Sequence, residues 1–362
     1  MKICHIIANL YAGGAQTFVV LLAVEQQKLG HEVSVILIDQ FNHSTFENFL
    51  TQQLKDNQIP VYSLDRKPGK NFSIFNSFFK LNTLLKKLQP HIINSHLQFT
   101  HLITSLYLKL FRKKYNLVLT IHNAPEVWNY QTLKLNLNTP SIYCSKASLE
   151  TSITRDCKKL VIANGIKQPV IEDLANQILK EYDVNPKHQL VLMVGKLSHQ
   201  KNYPLAVEIA KHYENKNVSF LICGIKEETA EQDLASFKAV NNIHYLGIKV
   251  PKEIYSLMDR CDVFLNTSHY EGLPITVLEA FFVGTPCVLS NILPHHEIGD
   301  GVPKVYIPLS FETKDFLNEI DLALAKKEDK KVIQDLRAMY LESYSVIRAA
   351  QSYIDFYQEV IN

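Results

Sequence analysis

Two carboxylates and two lysines, set on two short stretches of this sequence, are the side chains best spaced to do chemistry together. Glu271 and Glu279 stand in the run Glu271-Gly272-Leu273-Pro274-Ile275-Thr276-Val277-Leu278-Glu279-Ala280, followed by Gly284-Thr285-Pro286. Ionised carboxylates only accept hydrogen bonds, so they suit a partner that offers hydroxyl donors, such as a sugar or the diol of a ribose. Pro274 fits the first position of a helix, where a missing N–H costs nothing. A helix opening there presents free amides and the positive end of its dipole to an anion such as a phosphate. The spacing predicts that this helix runs to about Val283, with Gly284 ending it. The bland alternative is one glutamate serving the helix dipole and another in water.

The lysines lie in Gly195-Lys196-Leu197-Ser198-His199-Gln200-Lys201-Asn202. A glycine permits a tight turn, and the two cations at Lys196 and Lys201 are spaced to flank a diphosphate. If that diphosphate leaves during reaction, its growing charge meets fixed cations, which favours the transition state over the ground state. A loop with two solvated lysines is the alternative. A third stretch, Ala12-Gly13-Gly14-Ala15-Gln16, opens a helix with paired glycines that allow close approach of a ligand. It has neither the GxGxxG spacing of dinucleotide folds nor the phosphate loop of ATPases.

All three stretches follow apolar runs that read as strands. Lys2–Ala8, the helical pattern Ala15–Leu29 capped by Gly30, and Val33–Ile38 form one βαβ unit, which requires a buried parallel sheet. The alternation continues through Pro60–Leu64, a helix around Phe75–Leu88, His91–Asn94, Leu117–Ile121, Ser141–Cys144 and Leu160–Ala163. After a polar stretch it restarts at Leu190–Val194, then Val218–Cys223, Ile243–Leu246, Val263–Asn266 and Pro286–Ser290. Two doubly wound α/β domains in tandem follow, with a linker near 165–185 and a closing helix over Tyr344–Ile361. Ligands of such sheets bind beyond the carboxyl ends of the strands, where these three stretches fall.

The 362 residues suit two domains, and 46% hydrophobic with 20% charged residues is the balance of a folded, water-soluble protein. No apolar run approaches the ~18 residues of a membrane span. Ile3–Ala8 is too short for a signal-peptide core, and none of the six cysteines has CxxC spacing, so a reducing cytoplasm is expected. The net charge of +2 hides an asymmetry: residues 1–165 carry 18 Lys and Arg against 9 Asp and Glu. Two domains with different partners would explain it. No helix-turn-helix or RNP-like context accompanies the basic residues, so nucleic acid is not expected as a partner.

Taken together, Glu271…Glu279 within EGLP…LEA…GTP, Gly195-Lys196-Leu197…Lys201-Asn202, the Ala-Gly-Gly-Ala turn and Asn164-Gly165-Ile166 resemble a retaining glycosyltransferase of family 4 over nearly the whole chain. The resemblance implies the GT-B fold, two Rossmann-like domains facing across a cleft. An acceptor domain over 1–165 would be completed by the terminal helix 344–362 crossing back, with a nucleotide-sugar domain over 166–343. It implies that Glu279 holds the ribose hydroxyls and Glu271 the donor sugar. Lys196 and Lys201 would hold the diphosphate with the amides of Gly14, Gly272 and Leu273. His122, after a strand, would lie beside the transferred sugar, and His96 and Gln16 would lie on the acceptor side.

The implied reaction moves a hexose or N-acetylhexosamine, from a UDP-sugar by preference, to a glycan or lipid-linked acceptor in cell-surface polysaccharide synthesis, with retained configuration. Three departures bear on donor choice or the cleft wall: Lys196 in place of arginine, Gln16 in place of glutamate, and a missing second glycine in Gly224-Ile225-Lys226-Glu227. No Asp-x-Asp occurs in the chain, and the adjacent His295 and His296 point apart on an extended chain. No metal and no cofactor are therefore expected. Basic and apolar residues mix over Phe78–Lys87 and Tyr107–Tyr115, the make-up of a surface for an anionic membrane or of ordinary amphipathic helices. A nucleotide-sugar epimerase and a non-catalytic nucleotide-sugar-binding subunit of the same fold stay open as alternatives.

Overall fold

Apolar runs of three to eight residues, rich in Ile, Val and Leu, become parallel strands covered on both faces, because each is separated from the next by a helix-forming segment. The structure, a computed structural model, describes residues 1–11, 13–67, 73–123, 138–151, 157–226, 231–325 and 330–362. Of the residues singled out above, Phe75 has its side chain, and Ala12 and Glu227 lie whole, outside that description. The chain divides into two units, Met1–Lys167 with Tyr344–Asn362, and Gln168–Ser343.

In the first unit, seven strands form one parallel sheet: β1 (Lys2–Ile7), β2 (Glu32–Asp39), β3 (Val61–Arg66), β4 (Ile92–His96), β5 (Asn116–Ile121), β6 (Ser141–Tyr143) and β7 (Lys159–Val161). Their order is β3-β2-β1-β4-β5-β6-β7. The helix Gly14–Lys28 joins β1 to β2, and Gly30 turns the chain out of it with φ at 84°, a conformation glycine adopts freely.

Helix Val346–Ile361 belongs to this unit. Ser345 caps it by accepting from the Ile347 amide, and its face of Tyr353, Ile354, Phe356 and Tyr357 packs with Phe18, Leu22, Ile92 and Val118. The Tyr357 hydroxyl donates to Asn94 Oδ1 at 2.7 Å, inside the sheet's own layer. The segment is tied in by two backbone bonds, Ile166 N–H to the Tyr344 carbonyl (2.7 Å) and Val346 N–H to the Ile166 carbonyl (3.1 Å).

The second unit repeats the topology with six strands: β8 (Gln189–Val194), β9 (Val218–Cys223), β10 (Ile243–Gly247), β11 (Val263–Asn266), β12 (Cys287–Leu289) and β13 (Val305–Tyr306), in the order β10-β9-β8-β11-β12-β13. Its core gathers Val191, Phe220, Ile222, Val263 and Leu265 with helix residues such as Tyr203, Ile209 and Phe316.

Strand order reverses beside β1 in the first sheet and beside β8 in the second, so that β1 and β4, then β8 and β11, leave a crevice at their carboxyl ends. The glycine turn follows β1, His96 ends β4, Lys196 and Lys201 follow β8, and Glu271 follows β11. The topology thus explains why the chemistry-bearing stretches sit where they do.

Two local expectations are corrected. Pro274 is the N-cap and the helix begins one residue later, Ile275–Val283, with Gly284 ending it at φ 98°. His295 and His296 stand on a helix, Leu293–Gly299, and are splayed by helical rotation rather than by extension. His295 is fully buried, its Nδ1–H donating to the Ser290 carbonyl at 2.8 Å, whereas His296 pairs outward with Asp300 at 2.7 Å.

Candidate active site

The loop after β8 is shaped by close backbone approach. A side chain at Gly224 would meet the Gly195 carbonyl at 1.8 Å, so the turns after β8 and β9 touch through glycine. Leu197 N–H donates to the Ile225 carbonyl (2.8 Å), which holds the second turn in place without the second glycine. At Gly195 a Cβ would lie 2.7 Å from Cε of Lys201, so the lysine stem runs across the turn in the space a side chain would need. A single 3-10 turn, His199–Lys201, then brings Lys201 inward, while Lys196 stays exposed at the tip.

Lys201 and Glu271 meet. The Nζ lies 2.5 Å from Glu271 Oε1, and Glu271 is 7% exposed. The same oxygen accepts from Ser268 Oγ at 2.7 Å, and Oε2 accepts from Gln200 Nε2 at 3.0 Å. Thr267 Oγ1 donates to the Lys201 carbonyl (2.8 Å) and the His269 amide to the Gln200 carbonyl (2.9 Å), stitching the loop after β11 to the 3-10 turn. Burial would push the Glu271 carboxyl up. The charge and hydrogen bond of Lys201, with His295 and Ser268, outweigh it and hold the carboxyl below its usual value. The carboxyl is therefore ionised at neutral pH.

From Glu271 the chain passes through buried Gly272 and Leu273 into helix Ile275–Val283, which has no side-chain cap. Its first amides are open to an incoming acceptor. Glu279, one turn inside, is half-buried and accepts from the Tyr255 hydroxyl at 2.9 Å. Burial raises its carboxyl to about 7 despite that hydrogen bond. Lys196, Lys201, Glu271, Gly272, Leu273 and Glu279 thus share one end of one sheet.

The remaining sequence-predicted residues, Gly14, Gln16, His96 and His122, belong to the other unit. Gly14 opens its helix behind Gly13, and Gln16 folds back over Gly13, whose missing Cβ would lie 2.3 Å from Gln16 Oε1. His96 and His122 form part of a buried row. His5 Nδ1 and His96 Nε2 are 2.9 Å apart, as are His96 Nδ1 and His122 Nε2. Gln26 closes the row at His5 Nε2 (2.7 Å) and Asn164 at His122 Nδ1 (3.2 Å). Burial lowers His5 and His122 to about 4 and His96 well below its ordinary value, so the rings are neutral at pH 7. Both ring nitrogens of His122 are engaged, which leaves none for a sugar in this arrangement.

Sequence reasoning missed His5, Gln200, Ser268, Tyr255 and the proximity of His295. Gln200 and Ser268 lie inside the motifs already singled out, and a search for polar residues flanking the charged ones finds them. His5 reads as one residue of an apolar strand, and Tyr255 sits on helix Pro251–Arg260, twenty-four residues before its partner. Among the described residues, no three His, Cys, Asp or Glu side chains gather to hold a metal ion, and no helix is long and apolar enough to cross a membrane.

Two units of this topology define the GT-B fold. HepE of Anabaena, solved in complex with UDP and glucose, matches at a TM-score of 0.79 and 17% identity, over 99% of this chain and all of that one. Residues 12–170 match Glycosyltransferase Family 4 and residues 175–337 match Glycosyl transferases group 1. The chain belongs to this family of glycosyltransferases. Among its relatives is the N,N'-diacetylbacillosaminyl-diphospho-undecaprenol alpha-1,3-N-acetylgalactosaminyltransferase of Campylobacter jejuni, 24% identical over 86% of this chain and 89% of the relative. The O-antigen biosynthesis glycosyltransferase WclY of Escherichia coli is 22% identical over 99% of both chains.

Proposed function

We propose that this protein is a retaining glycosyltransferase that moves a hexose or N-acetylhexosamine from a UDP-sugar to a lipid-linked glycan in cell-surface polysaccharide synthesis. The observation that carries the reading is the buried Lys201–Glu271 pair beside an uncapped helix start, with Glu279 one turn further on. In this reading Lys196, Lys201 and the amides of Gly272 and Leu273 hold the diphosphate. Glu271 takes a hydroxyl of the donor sugar and Glu279 the ribose. The acceptor oxygen forms its bond to the anomeric carbon on the face from which the diphosphate departs. The bond from that carbon to the diphosphate breaks, and the acceptor proton passes to the departing diphosphate oxygen. The lysines carry the leaving charge, so the reading requires no metal. With both ring nitrogens paired inside the first unit, His122 is given no proton-transfer role.

The donor and acceptor classes rest on the activities of relatives, one of which is a UDP-Gal:alpha-D-GlcNAc-diphosphoundecaprenol alpha-1,3-galactosyltransferase of Escherichia coli. A panel of UDP- and GDP-sugars scored by thermal stabilisation tests the donor, since a ligand at about 100 times its Kd adds about 2.7 kcal/mol. UDP-sugars are expected to stabilise most. Incubation with donor and acceptor should then release free nucleoside diphosphate in the presence of EDTA, with no isomerised donor. An isomerised donor without transfer would instead establish the epimerase reading.

We further propose that the first unit docks on anionic membrane at the cytoplasmic face, in reach of such an acceptor. Phe78, Leu81, Leu85 and Tyr107 are spent on the core, but Phe79 and Leu110 remain 65% exposed and Phe79 meets Phe111 edge-on at 6.2 Å. Lys109, Arg112 and Lys114 are exposed around them. Each basic residue near an anionic surface contributes about 1 kcal/mol. Co-sedimentation should be strong with phosphatidylglycerol-containing vesicles and weak with neutral ones; equal binding to both counts against the proposal.

A further inference from the structure

The residue pair at the far end of the second unit's site has a chemistry that the motif around Glu279 does not by itself explain. Glu279 is half-buried on helix Ile275–Val283, where partial withdrawal from water favours the neutral carboxylic acid. A neutral acid has a donor and loses acceptor capacity, so it is the wrong partner for two adjacent hydroxyls, each of which must donate. The group that opposes this is the Tyr255 hydroxyl, 2.9 Å from Oε1.

We propose that Tyr255 is a positioning residue for nucleoside diphosphate binding: its hydroxyl, donating to Glu279 Oε1, fixes the orientation of that carboxyl as an acceptor for the diol of a ribose and favours its charged form. The inference rests on the assignment of Glu279 to ribose made above and adds the group that makes such an assignment workable. Tyr255 leaves Oε2 and one lone pair of Oε1 for the ligand and fixes the carboxylate plane before the ligand arrives.

Tyr255 stands on a helix that is hydrogen-bonded to its surroundings at two nearby positions. Its neighbour Ser256 accepts from the Leu174 amide at 3.0 Å, and the Met258 carbonyl accepts from Thr285 Oγ1 at 2.6 Å, just past the end of the glutamate's helix. Three other charged groups of helix Pro251–Arg260 are occupied elsewhere. Lys252 pairs with Glu172, Glu253 accepts from the Val250 amide, and Arg260 donates to the Pro186 carbonyl. On the strands beneath, β11 has no titratable side chain and β12 has only Cys287, buried and far from ionising. Burial and Tyr255 are the two influences on Glu279. The tyrosine itself is pushed well above its usual value by burial and by Glu279, so it remains a donor at every working pH.

Calorimetric titration of the full chain with UDP, GDP and 2′-deoxy-UDP tests this. At about pH 7 Tyr255→Phe should weaken UDP and GDP binding about 10-fold, as expected for a lost hydrogen bond to a charged group. At about pH 9, well above the value of about 7 that the carboxyl has beside Tyr255, the deficit should shrink to about 3-fold or less. The preference for UDP over its 2′-deoxy analogue should fall toward that of Glu279→Gln. Wild-type affinity for Tyr255→Phe at both pH values, or a deficit independent of pH, overturns the proposal. Impaired binding by Glu279→Gln in the same series would then leave the ribose assignment standing. A Glu279→Gln variant that binds UDP as the wild type does overturns that assignment, and the role of Tyr255 with it.

Discussion

Replacing Lys201 by alanine is expected to lower kcat about 100-fold or more, the scale on which removal of a fixed charge at a developing anion acts. The same variant should lose stability. Lys201 and Glu271 form an ion pair with side chains 17% and 7% exposed, and deleting one partner strands the other away from water. Breaking such a pair costs about 3–5 kcal/mol, whereas replacing both partners is often close to neutral. The two effects therefore separate in a double-mutant cycle. Lys201→Met with Glu271→Gln should regain most of the unfolding free energy lost by either single variant and none of the turnover. Recovery of turnover together with stability would show that the pair only holds the loops together. A single Glu271→Ala variant with unchanged turnover would remove Glu271 from the catalytic machinery.

Gly165→Ala should destabilise the first unit by about 3 kcal/mol or more, at the upper end of what overpacking costs, because the obstacle is backbone. A Cβ at Gly165 would stand 2.4 Å from Cα and 2.5 Å from the amide nitrogen of Val346. Side chains can turn away from an added methyl; the start of a docked helix cannot. Hydrogen exchange over residues 346–361 should accelerate in this variant. Gly30→Ala is the control: its added methyl meets nothing within 4 Å, and its cost comes from the positive φ of 84° alone. Equal effects at the two glycines would show that the contact with Val346 is not what fixes the helix.

Much of this architecture could be read from the order of residues, for a reason visible in particular elements. Parallel strands such as β2 and β9 are continuous apolar runs, and such runs alternating with helical periodicity permit few folds. Loops following them carried the chemistry, so Lys196, Lys201, Glu271 and Glu279 were recognisable by type and spacing. Local signals failed where the deciding contact was distant. Pro274 lies outside the helix as its N-cap, since the loop stitched to Gln200 and Lys201 sets where helical geometry starts. The β13 strand is two residues long and exists only as a neighbour of β12. His122 is partnered through His96 to His5, whose separations of 26 and 91 residues no periodicity reveals. The Lys201–Glu271 contact spans 70 residues, and spacing alone presents the two as separate grips on a ligand rather than as bonded partners.

The return of helix Val346–Ile361 to the first sheet has a consequence for how the chain matures on the ribosome. The second unit is made of one uninterrupted stretch and is free to close as soon as it emerges. The first must wait: Phe18, Leu22 and Val118 emerge early, yet the residues that cover them are separated from them by the whole of the second unit. For the time needed to translate well over a hundred codons, an oily face of the earlier-made half stands open to water and to chaperones. Synonymous changes or stalls that lengthen this interval are thus a hazard specific to the amino-terminal half.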